Sequence, residues 1–104
     1  MAPVTLPKGT ESSGHTILIQ DLQDDRLSLR RAIPVRIYHG DDVYTAQNMD
    51  SEVFGTGATE IEALDDFRSA LVDLYNLLKD EGEANLGPVP LNQWRYLRDV
   101  LKDE

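Results

Sequence analysis

The chain of 104 residues contains no cysteine, which excludes disulfides, thiolate metal sites and a thiol nucleophile. It also has no apolar run approaching the ~20 residues that cross a bilayer, and its N-terminus lacks the basic, apolar, small-residue succession of a secretory signal. A cytoplasmic protein with no membrane partner is the expectation. Positive charge is scarce, ten basic against 19 acidic residues, for a net charge of −9. That balance repels a phosphate backbone unless the basic groups collect on one face. Nucleic acid is therefore not expected to bind the lone chain, and a basic protein partner is favoured because opposite net charges speed encounter. No internal repeat is present, and the length suits one domain with a single modest core.

What the chain does contain is a strong helix start. Thr59 and Glu62 stand in capping-box spacing, so the hydroxyl can accept the amide of position 62 while the carboxylate returns to the amide of 59. Gly55 and Gly57, just upstream, permit positive φ or a close backbone approach, letting a strand turn abruptly into a helix. From Ile61 the apolar residues Leu64, Phe67, Leu71, Leu74 and Leu78 form one stripe, flanked by Ala63, Ala70 and Leu77. Glu60, Glu62, Asp65 and Asp66 complement the positive end of the helix dipole. Gly82 is the expected stop.

Residues 1–14 hold Pro3, Pro7, Gly9 and Gly14 and no periodicity, and read as a disordered or strapped-down tail; residues 15–104 form the expected domain. Thr16 to Ile19 reads as a short strand or a segment that docks on the core, and Leu22 to Arg26 as a turn. From Leu27 to Tyr38 the pattern has period two, broken at Arg31, and describes either one strand or two. Pro34 cannot donate to a ladder and implies an edge or a bulge. His39 to Asp42 reads as a hairpin turn with glycine at positive φ, and Val43 to Ala46 as the returning strand. A two-residue loop at Gly40-Asp41 would pair Ile37 with Tyr44, and a three-residue loop would shift that register. Gln47 to Glu52 is a polar connector and Val53-Phe54 a very short strand. After a loop containing Gly87, Pro88 and Pro90, the residues Leu91, Trp94, Leu97 and Leu101 share one face of a second helix, with Trp94 the expected main anchor outside the first. The fold class predicted is α+β: an antiparallel meander of three to four strands, one long helix across it, and a short C-terminal helix.

Ile33 to Tyr38, then Gly40 to Ala46, then Val53 to Leu64 give an extended strand, an acidic-glycine hairpin ending in Tyr-Thr-Ala, a short connector, Gly-Thr-Gly-Ala-Thr, and Glu-Ala-Leu opening a helix. In that order and spacing the stretch resembles the HicB-like antitoxin family over roughly residues 32 to 82. The resemblance implies a truncated RNase H-like fold that covers a small basic RNA-cleaving toxin, and a homo-oligomer. Larger family members carry a helix-turn-helix or ribbon-helix-helix segment that binds their own promoter. After Gly82 this chain has about twenty residues, fewer than either module needs, as in a short branch of the family.

No chemistry-bearing constellation stands out. Two-metal nuclease chemistry needs several converging carboxylates, but Asp41 and Asp42 fall in a turn, Glu62 belongs to the cap, and Asp65 and Asp66 lie on the polar side of the helix. His15, read as part of the tail, and His39 lack a serine or acid at useful spacing. Gly55-Thr56-Gly57 is too short to cradle a phosphate. No catalytic residue, cofactor or metal is expected, and the chain is not read as an enzyme. Arg30 and Arg36 would share a strand face able to meet an anion or an acidic patch, while Arg95 and Arg98 flank the Trp94 stripe. The expected partner-binding residues are Asp24, Asp25, Arg36, Tyr38, Asp41, Asp42, Asp50 and Glu52, on acidic loops and an exposed strand; Gly55, Gly57, Thr59, Glu62 and Trp94 are the expected structural residues. A protein-binding antitoxin-type domain is the first reading, and a dimeric DNA-binding regulator of its own operon the alternative.

Overall fold

The computed structural model describes residues 14–103, so the expected tail lies outside the described residues except for Gly14. The architecture is α+β, as the sequence pattern predicts. Strands β1 (His15–Ile19), β2 (Leu27–Leu29), β3 (Ile33–Gly40), β4 (Val43–Asn48) and β5 (Val53–Gly57) precede α1 (Glu60–Glu81). A single 3₁₀ turn (Glu83–Asn85), α2 (Pro88–Val100) and β6 (Leu101–Asp103) complete the order. β1, β3, β4 and β5 form one antiparallel sheet in that spatial order, and β2 pairs with β6 in a separate two-stranded ribbon.

Alternation sets the layers. Ile33, Val35 and Ile37 of β3 point toward α1 and are buried, as are Ile19 of β1, Ala46 of β4 and Val53 of β5. In the register, Ile37 lies beside Ala46 and Ala46 beside Gly55, so side-chain size shrinks across the sheet toward β5. There α1 comes down on the strand. A Cβ built on Gly55 would land on the amide nitrogen of Phe67 and 2.7 Å from the carbonyl oxygen of Ala63. One on Gly57 would lie 2.7 Å from the Ala63 nitrogen. Neither glycine adopts positive φ; the close approach is the reason for both, and they lie inside a five-residue strand longer than the expected Val53-Phe54.

The helix begins as its cap predicts. Thr59 Oγ1 accepts the amide of Glu62 at 3.1 Å, but the Glu62 carboxylate reaches one residue further back than expected, to the amide of Ala58 at 3.0 Å. Asp66 Oδ2 accepts the amide of Thr56 at 2.9 Å, adding a second tie between α1 and β5. Gly82 ends the helix at φ 86°, its amide donating to Leu78. The buried stripe is Ala63, Phe67, Leu71, Tyr75 and Leu78. The expected stripe is thus rotated: Leu64 and Leu74 are half-buried, and Ile61 and Leu77 stand in solvent at 72% and 58% exposure.

Several other expectations are corrected. The period-two run from Leu27 is two strands, split by a bend at Arg30, so Arg30 and Arg36 do not share a strand face. No bulge occurs at Pro34; β3 is locally an edge there on its β4 side. Pro34 pairs with Leu18 on one side, while the ladder to β4 starts only at Arg36, so the missing amide falls where no strand partner stands. The hairpin loop is Asp41-Asp42, and these aspartates, not Gly40, take positive φ, 53° and 65°. Gly40 therefore pairs with Val43 and Ile37 with Ala46. His15 starts β1 instead of belonging to a tail. α2 ends at Val100, and Leu101 opens β6. Trp94 is half-buried, tilted on Tyr75 with centroids 5.4 Å apart, its Nε1 donating to Glu83 at 3.2 Å. Leu97, Val100 and Leu101 fill the core beneath it.

Gly55→Ala should destabilise the fold by about 3 kcal/mol or more, because backbone cannot move aside as a side chain can. Gly87→Ala, with open space around it, should stay within about 0.5 kcal/mol of the parent; urea unfolding of the two variants measures the contrast.

Candidate functional site

Residues of the opposite phase face away from α1. Thr16, Arg36, Gln47 and Phe54 form one cross-strand row, with Tyr38, Thr45 and Thr56 in the next. The Tyr38 hydroxyl donates to Gln47 Oε1 at 3.2 Å, holding the ring along the sheet. Among the described residues nothing covers this face: Leu18 is 65% exposed, Phe54 58%, Val43 41% and Tyr38 38%. Leu18 and Phe54 each stand between two inward residues of their strands, and Val43 precedes inward Tyr44, so the phase of the alternation is the sequence signal for them.

The strand ends carry the acids. Asp41 and Asp42 form the β3–β4 turn at one end of β4, and Asp50 and Glu52 lie in the β4–β5 turn at the other. Left-handed backbone is held at Asp41, Asp42 and Glu52 (φ 63°) without glycine. The fold thus places Arg36, Tyr38, Asp41, Asp42, Asp50 and Glu52 on one face and its two ends. Asp24 and Asp25 are elsewhere, in a depression bordered by Lys79, Asp80 and Asp103. Asp24 is also spoken for, its Oδ1 accepting the amides of Arg26 at 2.8 Å and Leu27 at 3.0 Å.

The polar connector hides a buried knot that the sequence reading did not find. Asn48 and Ser51 are fully buried. Asn48 Nδ2 donates to the Pro34 carbonyl at 2.8 Å and to the Tyr96 hydroxyl at 3.3 Å, while its Oδ1 accepts the amide of Ser51 at 2.8 Å. Ser51 Oγ accepts the amide of Val53 at 3.2 Å, and Gln93 Nε2 donates to the Ser51 carbonyl at 2.8 Å. The knot ties the β4–β5 turn to α2, and so sets where Asp50 and Glu52 stand. Burial raises the Tyr96 phenol above its ordinary 10.0, against the opposing effect of the Asn48 hydrogen bond.

Other chemistry-bearing residues serve structure. His15 Nε2 lies 3.2 Å from Glu60 Oε1, and His39 stacks on Tyr44 with centroids 4.2 Å apart. Asp65 pairs with Arg68 at 3.6 Å. Among the described residues no group of three or more His, Asp or Glu side chains is placed to hold a metal ion, and no helix is long and apolar enough to cross a membrane. No family model matches the chain, and no curated protein or solved structure matches it.

Asn48→Ala should cost about 2–3 kcal/mol in urea unfolding, since it strands the buried Ser51 amide and the Pro34 carbonyl. The folded protein binds the Tyr96 proton more tightly than the unfolded chain does, so that increment of stability is complete below pH 10 and is lost as pH rises beyond it. Tyr96→Phe should flatten the alkaline decline in melting temperature measured from pH 9 to 11.

Proposed function

We propose that this chain is a protein-binding domain of the HicB-like antitoxin type, which holds a small basic protein against the open face of its sheet. The observation that supports the reading is a sheet face that no described residue covers, with exposed Leu18, Tyr38, Val43 and Phe54 and an acidic turn at each end of its central strand β4. An apolar, aromatic centre rimmed by charge is how protein interfaces are commonly built. The sign of the rim and the net charge of −9 select a basic partner. Asp41 and Asp42 add weight. Adjacent left-handed positions are ordinarily filled by Asn-Gly, and two aspartates there place two negative charges at the price of a less favourable turn.

Among the described residues the outer edge of β1 has no strand partner and offers its backbone groups for strand addition, by a partner or by a second copy, whereas the β5 edge is capped by Asp66 at Thr56. A homo-oligomer is thus part of the same proposal, as is a cytoplasmic location. Binding would be a covering of the partner without turnover of a substrate.

Co-expression with the product of the adjacent gene, followed by purification through a tag on that product, tests the proposal. A stoichiometric complex with a small basic protein is expected. Phe54→Ser should weaken it about tenfold or more with an unchanged far-UV circular dichroism spectrum. Asp41→Asn with Asp42→Asn, which keeps the turn geometry, should slow association and reduce its salt dependence. Absence of a complex, or a complex indifferent to Phe54, would refute the proposal. A salt-dependent shift of the chain's own promoter in a gel, still present at about 150 mM salt, would favour DNA binding instead.

A further inference from the structure

Arginines distant in sequence meet at the end of the molecule where the β2–β3 bend lies against α2. Arg30, Arg95, Tyr96, Arg98 and Asp99 line an open depression of about 640 Å³, a size within the usual range for small-molecule sites. Two backbone bonds fix Arg30: its amide donates to the Val100 carbonyl at 2.7 Å and its Nε to the Leu101 carbonyl at 2.9 Å. The terminal nitrogens of that guanidinium have no carboxylate partner among the described residues. Arg95 has no ion pair or hydrogen bond there either. The neighbouring acids are already matched, Asp99 by Arg31 at 2.6 Å and Glu83 by Arg98 at 2.8 Å. Asp50, whose charge is felt at Tyr96, is the remaining carboxylate nearby. In a chain of charge −9, two guanidiniums stand over.

We propose that this depression binds a phosphate dianion, free or as the monoester of a small molecule, between the guanidiniums of Arg30 and Arg95. A phosphate near neutral pH carries about −1.5 to −2 charge and three strong acceptor oxygens, enough for both forks, whereas a carboxylate brings one charge and two oxygens. The half-buried Tyr96 wall offers apolar surface to the remainder of an ester. A nucleic acid fits less well, because its further phosphates would run over the acidic remainder of the surface. The site lies on α2, apart from the open sheet face, and does not depend on the protein-binding reading.

Titration of the arginine Nε–Hε signals by NMR, with inorganic phosphate and with adenosine 5′-monophosphate at 50 mM NaCl, tests the assignment. Saturable shifts at Arg30 and Arg95 are expected. Tighter binding of the ester would identify a small-molecule monoester as the ligand, and equal or weaker binding would identify free phosphate. Arg95→Gln should weaken either about tenfold, and Arg36→Gln, on the outer sheet face, should leave both unchanged. The proposal falls if neither probe saturates, if Arg36→Gln weakens binding as much as Arg95→Gln, or if a twelve-nucleotide RNA outcompetes the monophosphate.

Discussion

The backbone of α1 rests directly on β5, with Gly55 and Gly57 underneath and Ala63 above, and the rest of the molecule is arranged around that contact. No side chain separates the two elements there, and the space between the helix and β3 is filled by Ile33, Val35, Ile37, Phe67 and Leu71. Dense packing tolerates little adjustment. The Thr59 cap, the Glu62 return to Ala58 and the Asp66 bond to Thr56 then fix the angle at which the helix departs. With one face sealed in this way, the second face of the sheet is left open by the described residues.

Those uses divide the surface by charge. The outer sheet face joins apolar residues to acidic turns, while the C-terminal end of α2 gathers arginines against the overall balance. A uniform coat would have served solubility alone. The buried bonds of Asn48, Ser51, Gln93 and Tyr96 connect the two regions, since one side of the knot holds the β4–β5 turn and the other holds α2.

Much of this was legible in the sequence, for reasons that can be named. Local signals were the reliable ones: the Thr59-to-Glu62 spacing, the Gly82 stop and the alternation of Ile33, Val35 and Ile37 each depend on neighbours within a turn or a strand. Failures came where distant residues decide. Leu101 continues the helical spacing of Leu91, Trp94 and Leu97, yet pairing with Leu29 draws it into a strand. Asn48 and Ser51 sit in a stretch of turn composition, and their burial is set by Gln93 and Tyr96 some forty residues on. The Asp41-Asp42 loop carries left-handed backbone beside an available glycine, because the register of Ile37 with Ala46 places the reversal one residue later. Arg30 and Arg95 could not be joined by inspection at all.

The ribbon of β2 and β6 closes the chain from Leu27 to Asp103 into a loop, with Leu29 beside Leu101 and Asp103 bonded to Lys79 of α1. Contacts so remote along the chain carry a large loop-closure cost and are entropically late to form. The hairpin of β3 and β4 and the helix α1 can assemble from local contacts, whereas the seating of Leu97 and Val100 waits for this clasp. A breathing motion confined to the ribbon would separate Arg30 from the carbonyls of Val100 and Leu101. The arginine depression therefore exists only while this clasp is closed, and an occupant bridging its two walls would act as a latch on the last described strand.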